Sequence, residues 1–261
     1  MTTVGLLHPG EMGAAVGAAL VHDGCAVCWA GDGRSDATRE RADRAGLTAV
    51  DDLPALVRVS DVVVSVCPPG AALDVANEVA HAGFDGLYVD LNAIAPATAT
   101  AIADRFRHFV DGGIVGPPPR AHGDTRLFLS GPRAADVAAL FDSTPFETVC
   151  VGDEPGAASA AKAAYAAWTK GSAALLLATR ALARRHGVER ALLDEWDRSQ
   201  AGLAARSDAV ARANTRKAWR FVGEMDEQGD AFAAARLPDG FSRAAAEVYR
   251  RLADTGDAAD L

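Results

Sequence analysis

One isolated lysine offers the clearest chemistry in the sequence. Lys162 stands in GAASAAKAAYAAWTKG, where no carboxylate lies three or four positions away on the same helix. A lysine in such surroundings has two interpretations. It is either a solvated ammonium whose stem lies along the helix, or a desolvated amine with a lowered pKa that transfers a proton. The elements around it must decide between the two.

The segment around Lys162 predicts one long helix from Gly156 to Gly187. Its first half is nearly all alanine, its second half carries a leucine stripe, and basic residues precede the glycine at its end. At about 100° per residue, Tyr165 and Thr169 share a face with Lys162. Tyr165 is therefore either a second group of a site or a packing residue, and Thr169 is a candidate substrate contact.

A dinucleotide-binding arrangement is predicted at the N-terminus. A strand at Thr3–Leu7, the turn HPGEMG and a helix of small residues follow one another. Glycines let the backbone approach a pyrophosphate, and the helix N-terminus supplies free N–H groups. Gly10 and Gly13 fill the second and third positions of GxGxxG. His8 stands at the first position, where it either contacts the cofactor or only ends the strand.

The loop after the second predicted strand, Ala26–Ala30, chooses between the two nicotinamide cofactors. Asp32 lies at about the distance from the glycines at which a carboxylate holds a ribose 2′-OH, which favours NAD. Arg34 and Ser35, with Arg39, offer a guanidinium and a hydroxyl for a 2′-phosphate, which favours NADP. Asp32 also suits a plain turn, because glycines flank it. We therefore predict NADP, with NAD as the less favoured alternative.

Strands continue to alternate with helical stretches through the first half of the chain. They are predicted at Asp61–Cys67, Gly86–Leu91, His108–Asp111, Leu127–Gly131 and Thr148–Gly152. This alternation predicts a doubly wound, mostly parallel sheet, whose ligands bind beyond the carboxyl ends of the strands. The irregular segments that would line the cleft are Cys67–Gly70, Asn92–Pro96 and Gly112–Pro119.

From Gly187 onward the strand signals vanish. Helices are predicted at Val188–Ala204, Ser207–Trp219, Val222–Arg236 and Phe241–Asp254. The residues after Gly187 are too few to cover both sides of the long helix. We therefore predict a homodimer through the helical domain. The predicted fold class is α/β. A Rossmann-type doubly wound NAD(P)-binding domain, residues 1–155, precedes an all-α substrate and dimerisation domain, residues 156–261, and the long helix joins them.

Composition argues against several other functions. The net charge of −9 disfavours nucleic-acid binding, because a polyanion needs a basic face. No stretch of about 18 apolar residues and no basic leader occur, so we expect a cytoplasmic protein with no membrane partner. Cys25 and Cys28 fall on opposite faces of a predicted strand, and no metal site is predicted. HExxH, GxSxG and P-loop motifs are absent, which disfavours hydrolysis and phosphoryl transfer.

Together these parts resemble a known superfamily. The motifs that carry the resemblance are GLLHPGEMG at Gly5–Gly13, SVCPPG at Ser65–Gly70, VDLNAIAP at Val89–Pro96, DGGIVG at Asp111–Gly116, AAKAAYAAWTKG at Ala160–Gly171 and WRFVGEM at Trp219–Met225. The chain resembles the 6-phosphogluconate dehydrogenase-like, or β-hydroxyacid dehydrogenase, superfamily over nearly its whole length. Within it, the chain is similar to the branch with a phosphogluconate dehydrogenase-like C-terminal domain of unassigned function.

The resemblance implies hydride transfer at a nicotinamide. Lys162 matches the lysine of the family, which donates a proton to the carbonyl oxygen as hydride arrives, or assists its removal in the reverse direction. The substrate would lie between the sheet edge and the helical domain, near Gly113, Val115 and Thr169. The implied cofactor contacts are His8, Pro9, Gly10, Glu11, Met12, Arg34, Ser35, Cys67, Pro68, Pro69 and Asn92.

Two departures from the family pattern leave other functions open. The family has Asn four residues after the lysine, where this chain has Ala166, and Tyr165 is the substitute hydrogen-bonding group. The hydroxyl residue that helps to hold a substrate carboxylate corresponds to Val115, followed by Pro117. We predict an NADP-dependent oxidoreductase acting on a small carbonyl or hydroxyl compound. An imine reductase-like enzyme and a non-catalytic NADP(H)-binding protein are the alternatives.

Overall fold

The computed structural model describes residues 1–258 and 261. It forms two compact units, Met1–Lys162 and Ala163–Leu261, which we call the α/β unit and the helical unit. The predicted fold class, a doubly wound sheet followed by an all-helical region, is confirmed. The predicted helical domain also includes residues 259 and 260, which lie outside the described residues.

The α/β unit is built on one eight-stranded sheet. Its order is β3-β2-β1-β4-β5-β6-β7-β8, and every pair is parallel except β6 with β7. The sheet is therefore mostly parallel, as predicted. The strands are β1 (Thr3–Leu7), β2 (Ala26–Ala30), β3 (Thr48–Val50), β4 (Val62–Ser65), β5 (Leu87–Asp90), β6 (His108–Val115), β7 (Thr125–Ser130) and β8 (Phe146–Gly152).

Helices cover both faces of this sheet. They are α1 (Glu11–His22), α2 (Asp36–Arg44), α3 (Leu53–Val59), α4 (Ala72–His81), α5 (Pro96–Ala103) and α6 (Ala134–Ala139). Alternate residues of the strands enter two separate apolar cores, one around Leu6, Val64 and Val89, the other around Val63 and Tyr88. Such double burial explains why the central strands are largely continuous apolar runs rather than alternating apolar and polar residues.

The long helix α7 (Ala157–Arg185) begins in the α/β unit and continues into the helical unit. The helical unit further contains α8 (Glu189–Ser199), α9 (Leu203–Asn214), α10 (Ala218–Ala234) and α11 (Gly240–Thr255). Its core packs Leu177 of α7 with Met225, Tyr249 and Leu252. Among the described residues, no helix has the length and apolar character needed to cross a membrane.

Several predicted boundaries were wrong. The first helix starts at Glu11, ahead of the run of small residues from Ala14 that predicts it, since Gly10 already has an N-cap conformation. The helix α2 starts at Asp36, before Arg39 of the predicted loop, because Ser35 caps it by accepting a hydrogen bond from the N–H of Thr38. The helix α10 starts at Ala218 rather than at the predicted Val222.

Two further differences concern strands. Gly112–Val115, predicted as irregular, forms the second half of β6, because antiparallel pairing with β7 holds its glycines extended. The strand β3 and the helix α3 were missed. The strand has only three residues, and the helix signal was Asp52, whose carboxylate accepts from the N–H of Ala55, followed by Pro54 in the first turn.

Candidate functional site

A row of polar side chains crosses the sheet near the carboxyl ends of its central strands. Ser65, Asp90 and Asp111 are register partners on β4, β5 and β6, and Ser130 of β7 pairs with Asp111. All four residues are fully buried. Paired residues of neighbouring strands lie on the same face, so these side chains stand next to one another. We call these four residues the polar row.

Asn92 connects the first half of the polar row to a loop. Its Nδ2 donates to Ser65 Oγ at 3.0 Å and to Asp90 Oδ2 at 2.9 Å. Its Oδ1 accepts a hydrogen bond from the backbone N–H of Cys67 at 2.6 Å. Burial raises the pKa of Asp90 to about 7, against the opposing effect of the hydrogen bonds from Asn92. The carboxamide thus fixes the segment Cys67–Pro69 relative to the end of β5.

The second half of the polar row holds the start of α7. The carboxylate of Asp111 accepts from the backbone N–H of Ser159 at 2.8 Å and from its hydroxyl at 2.6 Å. Ser130 Oγ donates to Asp111 at 3.2 Å and accepts from the N–H of Ala158 at 3.0 Å. Two side chains of the sheet therefore cap the helix in place of a residue from the helix itself. Burial raises the pKa of Asp111, and the Ser159 hydrogen bonds oppose that shift.

Lys162 follows one turn after this cap. Its Nζ donates to the carbonyl oxygen of Ile114 on β6 at 2.6 Å. A Cβ built on Gly113 would lie 2.8 Å from the Cβ of Lys162 and 3.2 Å from the carbonyl oxygen of Ala158, so only glycine lets the helix approach the strand this closely. Desolvation lowers the pKa of Lys162 to about 8. The geometry therefore favours the desolvated amine over the solvated ammonium.

The glycine turn after β1 has the shape that the sequence predicts. A Cβ built on Gly13 would lie 2.5 Å from the carbonyl oxygen of His8, so this position requires glycine. The N–H of Gly10 donates to the same oxygen at 2.7 Å, and α1 starts with no side-chain cap. The first N–H groups of α1 are thus open to an anion.

The loop after β2 presents its charged groups outward. Arg34 is exposed, and no described residue pairs with its guanidinium. Arg39, a further candidate for the 2′-phosphate, instead donates from Nη2 to the carbonyl oxygen of Gly31 at 2.7 Å and fastens the loop to its own helix. Asp32 is exposed on the same loop.

Comparison with known proteins supplies two kinds of match. A family described as a domain of unknown function, DUF1932, matches residues 183–252. An uncharacterised 28.5 kDa protein of Methanothermus fervidus, named for its place in the 7S RNA 5′ region, is 33% identical over 165 residues. That match spans 62% of this chain and 63% of the relative, which is under two thirds of each.

Solved structures match over the whole chain. A conserved protein of unknown function, whose structure is described as similar to 3-hydroxyacid dehydrogenases, is 29% identical with a TM-score of 0.74 and covers 97% of both chains. This chain has the 3-hydroxyacid dehydrogenase fold. A 3-hydroxyisobutyrate dehydrogenase of Mycobacterium tuberculosis with L-serine has the same fold, at 21% identity, a TM-score of 0.73 and coverage of 100% and 96%. An imine reductase of Myxococcus stipitatus in complex with NAD⁺ is 20% identical with a TM-score of 0.61, and the match covers 100% of this chain and 96% of that one.

These findings confirm the resemblance stated from the sequence, both for the C-terminal DUF1932 segment and for the fold. Within the 3-hydroxyacid dehydrogenase fold, the predicted cofactor residues come to one edge of the sheet. They follow the carboxyl ends of four parallel neighbours, β2, β1, β4 and β5. The residues are His8, Pro9, Gly10, Glu11, Met12, Arg34, Ser35, Cys67, Pro68, Pro69 and Asn92.

The predicted substrate residues are placed less uniformly. Gly113 lies against Lys162, whereas Val115 is buried at the end of β6. Tyr165 and Thr169 belong to the helical unit, so their roles beside Lys162 remain predictions. The Tyr165 side chain is half exposed, and the Thr169 hydroxyl donates to the Tyr165 carbonyl oxygen at 3.0 Å within the helix.

The sequence did not single out the serines of this region. Ser65, Ser130 and Ser159 each complete a buried hydrogen-bond set around a carboxylate or a carboxamide. A usable signal was present, because Asp90 and Asp111 end the apolar parts of successive strands and must find donors when buried. Burial raises the pKa of the Cys67 thiol to about 11, which disfavours its thiolate form. Among the described residues, no His, Cys, Asp and Glu cluster could hold a metal ion.

Proposed function

We propose that this protein is an NADP-dependent oxidoreductase that transfers a hydride to or from a small carbonyl or hydroxyl compound. One observation carries the proposal: Lys162 is a partly buried amine held at the carboxyl side of the sheet by the Ile114 carbonyl, with its pKa lowered to about 8. A lysine with a pKa near the working pH can both donate and accept a proton. In the reduction it would protonate the developing alkoxide, and in the oxidation it would take the hydroxyl proton.

The residues of this chain fit a dinucleotide. Gly13 lets α1 pack against the His8 carbonyl oxygen, and the space beside Gly10 is open, since a Cβ built there would meet only that oxygen at 4.0 Å. The uncapped N-terminus of α1 would supply N–H donors to a pyrophosphate at this turn. Segment Cys67–Pro69, fixed by Asn92, would support the cofactor from the next strand. When bound, the nicotinamide supplies or accepts the hydride.

The choice of NADP rests on Arg34. Its guanidinium is exposed beside the turn and has no described partner, as suits a group that binds a 2′-phosphate. Ser35 contributes its hydroxyl, which otherwise caps α2 at 3.4 Å from the Thr38 N–H. Asp32 on the same loop is the group that would hold the ribose of NAD instead.

Reduction of an imine is the second candidate. Val115 is apolar and buried where a hydroxyl would help to hold a substrate carboxylate, which disfavours short hydroxy acids. The fold likeness to the imine reductase of Myxococcus stipitatus is consistent with this candidate. Lys162 would then protonate the nitrogen of the reduced product rather than an oxygen.

Dinucleotide binding followed by a substrate screen tests the proposal. Thermal-shift and fluorescence titrations with NADPH, NADH, NADP⁺ and NAD⁺ should give the largest effect with NADPH. Cofactor oxidation is then followed with aldehydes, ketones, keto acids and cyclic imines. Turnover of cyclic imines alone would select the second candidate. Binding without turnover on any compound would instead select a non-catalytic NADP(H)-binding protein, and the absence of binding would refute the proposal.

We also propose that the helical unit forms a homodimer through α7. Trp168, Leu175 and Leu182 recur at seven-residue intervals and leave 70%, 68% and 61% of their surfaces exposed. Such spacing forms one apolar stripe along a helix and suits the packing of another helix. The stripe ends at a groove of about 350 Å³ that Leu182 lines together with Val188 and Leu192.

Light scattering tests the dimer. Leu175→Glu with Leu182→Glu should give a monomer, because two charges cannot be buried at a helix interface. The matched control is Arg190→Glu on the exposed side of α8, which should leave the mass unchanged. A wild-type monomer across the micromolar range would contradict this part of the proposal.

A further inference from the structure

His8 has a backbone conformation that is uncommon for a residue other than glycine. Its φ is +64°, in the left-handed region that glycine adopts without strain. Among the described residues other than glycine, only Arg236 of the helical unit shares this property, with φ +58°. The glycine of a GxGxxG turn would be free of this strain at position 8.

The imidazole of His8 is not used by the protein. Its Nδ1 is buried without a hydrogen-bond partner, and no described group bonds to either ring nitrogen. Burial and the nearby charge of Arg34 lower the pKa of His8 to about 4, so the ring is neutral at physiological pH. A neutral imidazole carries one N–H donor.

Both features cost stability in the free protein. A left-handed backbone disfavours every side chain with a Cβ, and a buried nitrogen without a partner loses its hydration. The substitution His8→Gly would remove both penalties. A residue that is unfavourable in two independent ways at a ligand-binding turn points to a gain in the bound state.

Resting on the proposed function, we infer that His8 donates a hydrogen bond from its ring N–H to a phosphate group of the bound dinucleotide, at the expense of the stability of the free protein. The neutral ring has one donor and one acceptor nitrogen, and Nε2 is the one that a ligand could reach because Nδ1 is buried. The nearby charge of Arg34 favours an anion at this place, and the oxygens of an anion accept a hydrogen bond from an Nε2–H. Phosphate oxygens meet this requirement, and the uncapped start of α1 attracts them to the same turn.

His8 should lower the Tm of the free protein and raise its affinity for NADPH. His8→Gly should raise the Tm of the free protein by about 2–4 °C, because the strain and the buried nitrogen disappear together. The same variant should bind NADPH on the order of tenfold more weakly, because one hydrogen bond to an anion is lost. Ordinary loss of fold would lower both quantities instead.

Two further variants separate the side chain from the backbone. His8→Ala keeps the strained conformation but removes the donor and the buried nitrogen, so its NADPH affinity should fall as in His8→Gly while its Tm rises less than that of His8→Gly. Arg236→Gly is the matched control for strain. It should raise the Tm by a smaller amount, because only backbone strain is removed. It should leave the NADPH affinity unchanged, because Arg236 lies in the helical unit, outside the proposed cofactor contacts.

Calorimetry of the free proteins and fluorescence titration with NADPH decide between the outcomes. An affinity of His8→Gly and His8→Ala equal to that of the wild type would overturn the inference and leave the proposed function standing. A His8→Gly variant that is less stable than the wild type would also overturn it, since the ring would then be a packing element. A wild type that binds no dinucleotide would refute the proposed function itself.

Discussion

Two pairs of buried or partly buried polar residues near the carboxyl ends of the strands differ in how fully their hydrogen-bonding groups are paired. Asp90 and Asp111 receive two and three hydrogen bonds from side chains and backbone N–H groups. Lys162, in contrast, has one described acceptor for its three N–H groups, and the ring of His8 has no described partner. Every carboxylate oxygen of the first pair accepts at least one hydrogen bond, whereas the second pair has ring or ammonium nitrogens with unused hydrogen-bonding capacity.

We expect this difference to separate structural groups from the proposed functional ones. A carboxylate whose two oxygens are hydrogen-bonded within the protein holds two segments of backbone together. An amine or imidazole that is desolvated without full compensation destabilises the free protein and gains when a ligand supplies the missing partner. Substitutions in the two pairs should therefore have opposite signatures, with stability lost in the first and function lost in the second.

The largest effect is expected for Lys162→Met. Removal of the proton donor should lower kcat by about 10²–10⁴. NADPH affinity should stay the same, and the Tm at pH 7 should not fall, because a desolvated amine no longer has to be charged. Lys217→Met, at an exposed lysine, is the control and should change none of these values. Loss of NADPH binding in Lys162→Met would place the lysine among the structural groups.

Asp111→Ala should have the next largest effect, and on stability. It leaves the N–H and hydroxyl of Ser159 and the hydroxyl of Ser130 without their acceptor, at a cost of about 3 kcal/mol. Urea unfolding measures this loss. Asp136→Ala removes an exposed ion pair with Arg133 and should cost under about 1 kcal/mol. Equal losses in the two variants would contradict the capping role of Asp111.

The pH dependence of turnover should report the lowered pKa of Lys162, about 8. Reduction needs the protonated amine, which is present below that value, so its rate should fall about tenfold per pH unit above pH 8. Oxidation needs the neutral amine, so its rate should rise through the same range and level off above it. Rate profiles in both directions test this prediction. If both rates rose with pH, or both fell, a single group could not be the proton donor in one direction and the acceptor in the other.

The smallest effect is expected for Asn92→Ala. The carboxamide fixes the N–H of Cys67, so its loss should cost about 1–2 kcal/mol and weaken NADPH binding several-fold through a looser Cys67–Pro69 segment. The reduction rate should still fall and the oxidation rate should still rise as the pH increases, because Lys162 is unchanged. Isothermal titration and rate profiles separate these results. An unchanged NADPH affinity would show that this segment does not support the cofactor.

The sequence predicted the fold well because its signals were local. Runs such as VVVS of β4 indicated buried parallel strands, and the alanine-rich stretch around Lys162 indicated the long helix. Prediction failed where pairing with distant residues decides the structure. The glycines of DGGIVG looked irregular, yet β7 holds them in a strand, and the three-residue β3 exists only through its pairing with β2.

The sequence named candidate site residues but not the hydrogen bonds that hold them. Lys162 stood out by type and spacing, and the family resemblance implied the cofactor contacts, which stay predictions. The hydrogen bonds of Ser65, Ser130 and Ser159 depend on strand register, which one sequence does not reveal. Asn92 illustrates the difference. Its position after β5 indicated a cofactor contact, and the structure shows both of its N–H groups donating within the protein.

Three positions along β6 hold the first turns of α7. Asp111 binds the first turn, Gly113 admits the Cβ of Lys162, and the Ile114 carbonyl holds its amine. Three contacts along one strand fix the helix against both sliding and rotation. The position of the Lys162 amine is thus set by the strand, so the loops that follow the carboxyl ends of the neighbouring strands can change in sequence without displacing it.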